Sequence, residues 1–521
     1  MSTATTIAPA FSGRALEHCL IDVRRSYCVV EDRARRRIGL TPERTVAHEY
    51  SVRGELAPLY PEWLGDRRFT EAHGCRFPYV VGEMARGVAT LSMVVAAAKA
   101  GFIGFFGAAG LMPDAIGDSL REILRSVGDR PWGSNLIHTP NEPGLERATV
   151  DLYLNLGVER VSASAFMSLT PQVVRYACRG LHTDPAGAIR RKTHVFAKIS
   201  RPEIAAQFMQ PAPRQMLKAL VAEGLLTASE AELAQHVPVA EDITAEADSG
   251  GHTDNRPLSV LLPLVVRERD RILSGLRGVS IRVGAAGGIG VPSAAAAAFA
   301  HGASYVLTGT VNQTAVESGL SEVGRAMLCE AGMADVAMAP SADMFELGVK
   351  VQVLRKGTLY SQRAGRLYDI YRNYDSIDAL PDSVRSNLET EVFRRSIADI
   401  EADVQEFFGR RDPVQLEKAR SDPRHRMALI FRWYLGQSSR WPIKGDAGRK
   451  LDYQIWCGPA IGSFNEWVRG SNLADFRKRS VAQIGLNILE GAAVATRAQQ
   501  ARTHGIDVPY RFFDPPPRHL Q

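Results

Sequence analysis

Short apolar runs alternate with longer amphipathic segments through much of the chain. Eight such runs, each closing on small or polar residues, lie at 79–84, 101–106, 132–137, 158–162, 194–199, 241–246, 279–285 and 304–309. Their length and their β-branched and aromatic content predict strands. Most are separated by segments with helical spacing, including 89–99, 115–126, 142–155, 257–275 and 291–301. The longest connection, 201–238, predicts helices over 202–209 and 212–223 before Ser229 caps a third. Strand and helix alternating eight times predict an α/β fold of the (β/α)8 TIM-barrel type.

After Thr310 the pattern changes. From 341 to about 451 the chain is rich in charged amphipathic segments, and no strand alternation is evident. The stretch 388–408 spaces Val392, Ile397, Ile400, Val404, Phe407 and Phe408 at near-helical intervals. A helical stretch is also expected over 472–500, and a frayed tail at Asp514-Pro-Pro-Pro-Arg518. The layout expected is an N-terminal segment, 1–74, packed on a barrel, 75–340. A helical subdomain, 341–454, follows the eighth strand, and helices in 455–521 return to the barrel. The pattern of the first seventy residues is ambiguous.

The 521 residues, 45% hydrophobic and 23% charged, have the balance of a globular enzyme. No apolar run reaches the roughly eighteen residues of a membrane span. The opening Met1-Ser-Thr-Ala-Thr-Thr-Ile7 shows no basic stretch followed by an apolar one, so no secretory leader is expected. The six cysteines are scattered, with no CxxC pair and no histidine at ligand spacing. Reduced thiols in a cytoplasmic protein are expected, and no metal site. The net charge is +6, with clusters at Arg33, Arg35, Arg36, Arg37 and at Arg190, Arg191, Lys192. A solvated surface accounts for them, and an acidic carrier protein fits them equally well. Nucleic acid does not, since no aromatics interleave the basic residues.

The candidate chemistry starts at Ile281-Arg-Val-Gly-Ala-Ala-Gly-Gly-Ile-Gly290 and Gly302-Ala-Ser-Tyr-Val-Leu-Thr-Gly-Thr310. Each reads as a strand leading into a glycine turn, and neighbouring barrel units would set the two turns side by side. Their backbone N–H groups could then converge on one phosphate, with Gly287 and Gly288 allowing close approach. Such a cradle suits a flavin or a sugar phosphate; two ordinary tight turns are the rival reading. The GxGxxG spacing of a dinucleotide fold is absent. Barrel sites lie at the C-terminal ends of the strands. This nominates Gly82-Glu-Met-Ala85, Asn135, Lys198 and Glu246, followed by Asp248-Ser-Gly-Gly-His-Thr-Asp254. His252 can act as a proton donor near neutral pH or simply bond its own loop. Lys198 can face an electron-rich ligand or pair with Glu246. The glycines at 101, 104, 107 and 110 are expected to permit close packing around the end of the second strand.

With these residues in view, the chain resembles the superfamily of nitronate monooxygenases and FMN-dependent enoyl reductases. Within it, the resemblance is to the stand-alone PfaD-family enoyl reductases of trans-acyltransferase polyketide synthases and polyunsaturated fatty acid synthases. It runs from about Leu59 to Pro509. It rests on Leu59-Tyr-Pro-Glu-Trp-Leu-Gly-Asp66, Phe77-Pro-Tyr-Val-Val-Gly-Glu-Met84, Gly104-Phe-Phe-Gly-Ala-Ala-Gly-Leu111 and Glu246-Ala-Asp-Ser-Gly-Gly-His-Thr-Asp254. Asp343-Met-Phe-Glu-Leu-Gly-Val-Lys350 and Gly462-Ser-Phe-Asn-Glu-Trp-Val468 resemble the narrower family.

The resemblance implies a role for each matching position. Gly287, Gly288, Gly309 and Thr310 would hold the FMN phosphate. Met84 and Ala85 would lie against the isoalloxazine ring. Asn135, Gly250, Gly251 and Lys198 would contact the flavin beside Glu246, and His252 would be the active-site histidine. Where the superfamily often has Glu-Ala before Gly-Gly-His, this chain has Asp248-Ser249, which leaves the proton donor open. The implied activity is reduction of an α,β-unsaturated thioester on an acyl carrier protein in trans. NADPH or NADH would be the transient hydride donor. Arg394, Arg395, Arg410 and Arg411 could meet an acidic carrier helix or form a solvated face. Two alternatives stay open: a nitronate monooxygenase, and a flavin-containing assembly factor without turnover.

Overall fold

The computed structural model describes residues 8–44, 46–140, 142–276 and 278–520. The undecided N-terminal stretch forms an antiparallel sheet of β1 (Tyr27–Asp32), β2 (Arg37–Thr41) and β3 (Tyr50–Leu56), in the order β2-β1-β3. Only the last residue of β3 is buried, which explains why its sequence shows no clean alternation.

The barrel strands follow. They are β4 (Tyr79–Val81), β5 (Ile103–Phe106), β6 (Gly133–Ile137) and β7 (Arg160–Ser164); then, after a small hairpin of β8 (His182–Thr183) and β9 (Ile189–Arg190), β10 (His194–Ile199), β11 (Asp242–Glu246), β12 (Arg282–Ala286) and β13 (Val306–Thr308). All eight barrel strands are parallel and close in sequence order, β13 pairing with β4. Each overlaps an apolar run in the sequence. The helices between them include Leu91–Lys99, Pro113–Val127, Pro143–Leu156, Leu258–Leu273 and Pro292–Ala300. The β10–β11 connection holds Pro202–Phe208, Arg214–Ala222 and Ala228–Leu233. Thr227, not Ser229, caps the last of these: its hydroxyl accepts from the Glu230 N–H while Glu230 reaches back to the Thr227 N–H. That reciprocal pair satisfies two orphan donors at once.

Alternate residues of a strand share a face, so the barrel interior fills in layers. At the lower, N-terminal end Arg282 donates twice to Asp242, both at 2.7 Å, and His73 lies 3.0 Å from the same carboxylate. Above them Phe105, Phe196 and Tyr305 fill the centre. Gly284 on β12 makes room for Tyr305, since a Cβ there would stand 2.3 Å from the ring. The helix Arg67–His73 plugs this end, with Phe69 stacked on Tyr305 at 4.3 Å between centroids. Lys198, two residues after Phe196, and Glu246, two after Thr244, therefore point to the opposite, open end.

Beyond β13 the structure corrects three expectations. A two-stranded antiparallel hairpin, β14 (Val336–Pro340) and β15 (Lys350–Leu354), stands where no strands were expected. The segment 388–408 is not one helix. Leu388–Phe393 is a π-helical turn, Arg394 takes a left-handed conformation (φ 53°), and Ser396 caps a new helix, Ile397–Arg411. The tail is bound, not frayed. Asp514 accepts from both the N–H and the hydroxyl of Ser293, each at 2.8 Å, and Trp467 donates to the Pro515 carbonyl.

Five helices follow, Tyr360–Asn373, Asp382–Asn387, Ile397–Arg411, Pro413–Ser421 and Pro423–Lys444, and the third and fifth of them form a layer that reaches over the barrel mouth. Val481–Thr503 returns to the barrel wall, where a Cβ on Gly491 would stand 2.4 Å from Pro292. Among the described residues, no helix is long and apolar enough to cross a membrane.

Candidate active site

One cavity of about 650 Å³ opens at the C-terminal ends of the barrel strands, within the size range of small-molecule and cofactor sites. Every residue to which the resemblance gave a role lines it: Met84, Ala85, Asn135, Lys198, Glu246, Gly250, Gly251, His252, Gly287, Gly288, Gly309 and Thr310; of the other nominated residues, Gly82, Thr253 and Asp254 do not.

The loop after β4 carries Glu83, Met84 and Ala85 across the barrel rim. It crosses the end of β5 so closely that a Cβ on Gly107 would lie 1.8 Å from the Met84 carbonyl oxygen. Glycine at 107 is thus set by backbone crossing backbone, as the spacing of the nearby glycines predicts. On β6, the Asn135 side-chain amide donates to the Ser162 carbonyl at 3.1 Å and to Ser164 Oγ at 2.9 Å. Its carbonyl oxygen is the atom left to accept from a ligand.

Lys198 is held between two carboxylates. Its Nζ lies 2.9 Å from Glu83 Oε1 and 3.2 Å from Glu246 Oε1. Burial works against the ammonium, but Glu246 and then Glu83 outweigh it and hold Lys198 well above the ordinary lysine range. Both sequence readings of Lys198 therefore hold together: it pairs with Glu246 and lines the cavity. Glu83 lies in the stretch nominated from the sequence but was given no role there, and no hydrogen-bond donor other than Lys198 reaches its buried oxygens among the described residues.

The β11 loop is fixed by contacts that require its two glycines. A Cβ on Gly251 would meet Glu246 Oε1 at 2.6 Å, and one on Gly250 would meet the Cys457 backbone nitrogen at 2.7 Å. Ser249 donates to Glu246 at 2.9 Å. Asp248 accepts from the Asn255 and Gln352 side-chain amides, so its carboxylate braces the loop against β15.

His252 does more than bond its own loop. Its Nε2 lies 3.1 Å from Ser341 Oγ and 3.2 Å from Asp343 Oδ1, and Ser341 also donates to Asp343. Both partners come from the turn joining β14 to β15. Burial opposes the charged imidazole, but the Asp343 carboxylate, with a smaller contribution from Glu246, raises the His252 pKa above the ordinary value. The sequence offered no sign of this pairing, because the hairpin carrying Asp343 was itself not foreseen.

The β12 and β13 turns lie side by side. Gly287 (φ 85°) passes so close to the β11 loop that a Cβ would stand 2.7 Å from the Ala247 carbonyl carbon. Gly288 (φ 72°) is different: it lines the cavity, and a Cβ there would meet nothing within 4 Å. The turn therefore leaves an open cradle, which suits a phosphate. Thr310 Oγ1 accepts from the Gly458 N–H at 3.2 Å and keeps its own O–H to donate. An open glycine turn beside a free hydroxyl donor is chemistry that a phosphate group such as that of FMN would fit.

The far wall comes from the helical layer through Val404, Phe407, Phe408, Arg411, Trp433 and Arg440. The four arginines expected to meet an acidic carrier divide here. Arg411 turns inward, with Nε 2.6 Å from Glu142 Oε2. Arg395 pairs with Asp403 at 2.6 Å, Arg410 with Glu406 at 2.8 Å, and Arg394 donates to the Gly448 carbonyl at 2.7 Å.

Residues 67–362 match the family model described as nitronate monooxygenase. Residues 374–453 match the model of the helical domain inserted in [acyl-carrier-protein] S-malonyltransferase. A polyunsaturated fatty acid synthase polypeptide of Thraustochytrium sp. is 44% identical over 447 residues, covering 84% of this chain and 30% of that protein. The polyketide biosynthesis protein PksE of Bacillus subtilis is 42% identical over 450 residues, covering 86% of this chain and 58% of that protein. The chain thus spans well under two thirds of the curated relatives it matches. Among solved structures, the enoyl reductase domain of MlnA, from the macrolactin biosynthesis cluster of Bacillus amyloliquefaciens, is similar with a TM-score of 0.80 at 35% identity. That match covers 85% of this chain and 99% of the domain.

Proposed function

Because the chain belongs to the nitronate monooxygenase family, whose barrel it shares, we propose that it is an FMN-dependent enoyl reductase acting on acyl thioesters carried by an acyl carrier protein. The observation that carries this reading is the convergence, on one cavity, of an open glycine turn and a histidine bonded to a buried carboxylate, Asp343.

FMN, when bound, supplies a hydride taken from NADPH or NADH to the β-carbon of the enoyl group. The protein's own residues do the rest. Gly287, Gly288, Gly309 and Thr310 would grip the phosphate, and Met84 and Ala85 would support the ring. Lys198, kept charged by Glu83 and Glu246, would present a positive charge to the side where negative charge develops. The bond from Nε2 to Asp343 leaves His252 Nδ1 as the nitrogen that delivers a proton to the α-carbon. The helical layer would wall the acyl chain and keep water from the reacting carbons.

Asp248-Ser249 stands before Gly250-Gly251-His252 where the superfamily often has Glu-Ala, which supports reduction rather than nitronate oxidation. Carrier-bound crotonyl thioester, incubated with the protein, FMN and NADPH without oxygen, is expected to gain two hydrogens by intact-protein mass spectrometry. An unchanged mass, or flavin that NADPH does not bleach, would sink the reading. Thioester binding without a mass change would point to an assembly factor.

A further inference from the structure

Arg86 and Arg440 both line the cavity, Arg86 from the loop after β4 and Arg440 from the helix Pro423–Lys444. Neither guanidinium has an ion pair or a side-chain hydrogen bond among the described residues. Their neighbours differ. Arg411 pairs with Glu142, and Arg432 with Glu346 at 3.3 Å. Asp343, whose charge Arg86 feels, is already bonded to His252 and Ser341. Two partly buried cations without counter-charges are unfavourable in the protein alone. Burial, and then repulsion from Arg440 and Arg411, pull the Arg86 pKa down to about 10.

The backbone also singles out Arg86. It holds a left-handed conformation (φ 58°), unusual for a residue with a side chain. Two hydrogen bonds keep it there: Arg86 N–H to the Ala109 carbonyl at 2.8 Å and Gly87 N–H to the Gly107 carbonyl at 2.9 Å. The side chain then runs over Gly110, where a Cβ would lie 3.2 Å from Arg86 Cγ, towards Gly436 on the same helix as Arg440. The strain is maintained in a way that directs this guanidinium between barrel and helical layer.

Resting on the enoyl reductase reading, we propose that Arg86 and Arg440, reinforced by the charge of Arg411, form a second phosphate site that holds the phosphate of the pantetheine arm bearing the acyl thioester. Planar guanidinium groups suit phosphate oxygens, and each bond is charge-assisted. The nicotinamide dinucleotide also carries phosphates. The arm is favoured by position: Arg440 and Arg411 belong to the segment, 374–453, that matches the inserted helical domain of an acyl-carrier-protein transferase. Phe407, with Arg411 at 5.4 Å and Arg440 at 6.0 Å from its ring centroid, adds an apolar surface beside the charges.

The test uses the flavin-loaded full chain and calorimetric titration with 4′-phosphopantetheine and with pantetheine. The phosphorylated ligand is expected to bind about tenfold tighter. Arg86→Gln and Arg440→Gln should each remove most of that preference while leaving pantetheine affinity and the flavin spectrum unchanged. Arg440 has no bonded partner among the described residues, so its variant keeps the test open should Arg86→Gln fold poorly. Equal binding of the two ligands by the wild-type chain, or variants that weaken both alike, would overturn the proposal. So would variants that lose a preference for NADPH over NADH while still favouring 4′-phosphopantetheine, which would give these arginines to the dinucleotide. Binding needs no turnover, so tight phosphate-dependent binding without reduction of any enoyl thioester would sink the reductase reading alone.

Discussion

Asp343 holds His252 from the far side of the cavity, its Oδ1 3.2 Å from the imidazole Nε2, although 91 residues separate them in the chain. The carboxylate arrives on the β14–β15 turn, the histidine on the β11 loop. Each is of limited use alone: an isolated His252 would be half-titrated near neutral pH, and an isolated buried Asp343 would favour its neutral form.

Asp343→Asn is therefore expected to lower the His252 pKa and slow enoyl reduction roughly tenfold near neutral pH, with FMN still bound. The wild-type rate should fall as pH rises through the raised His252 value, and the variant's fall should come at lower pH. The same bond adds stability that is full below the unfolded histidine value and is lost as pH rises through the folded one. Paired pH–rate profiles check this; superimposable profiles would remove Asp343 from the proton-donor role.

Gly287 and Gly288 are expected to fail differently. Gly288→Val should leave the barrel folded but fill the cradle, giving a colourless protein by visible absorbance. Gly287→Ala would drive a Cβ into the Ala247 backbone and should lower thermal stability with or without flavin. A yellow Gly288→Val protein would contradict the phosphate assignment.

Lys198→Met would leave Glu83 and Glu246 facing one another without a cation. Breaking a buried pair this way costs about 3–5 kcal/mol, read by urea unfolding. Adding Glu83→Gln should restore much of the stability but not the activity. Restored activity would mean that Lys198 serves only to neutralise its neighbours.

At the lower end of the barrel, Asp242→Asn should destabilise by about 3–5 kcal/mol, since the amide can accept only one of the two Arg282 bonds and the buried guanidinium loses its nearest counter-charge. Burial opposes the Asp242 charge, but His73 and Arg282 hold the carboxyl well below the ordinary carboxylate range. Its contribution to stability is thus present above the unfolded aspartate value and lost as pH falls through the folded one. Acid unfolding followed by circular dichroism should show a midpoint at higher pH in the variant.

The barrel was legible because its signal is local and repeated. Buried parallel strands read as continuous apolar runs, and each ends at a glycine turn or a polar residue. Residues at the ends of those strands, such as Lys198 and Glu246, could be found by position alone. What stayed hidden depends on contacts distant in sequence. Val336–Pro340 contains alanine, methionine and proline and lacks an alternating face, so only its pairing with Lys350–Leu354 makes it a strand. Without that hairpin, neither Ser341 nor Asp343 could be set beside His252. Glu83 fell within a nominated stretch, but its pairing with Lys198 depends on a strand more than a hundred residues away. The apolar spacing over 388–408 survives the break at Arg394, because residues on both sides face the same core.

The final residues act as a clasp on the glycine cradle. Asp514 grips Ser293 at the start of the helix that follows Gly287–Gly290, so shortening the chain before that aspartate would unfasten the turn from behind. A truncated protein would then lose colour through a lesion remote from every cavity residue.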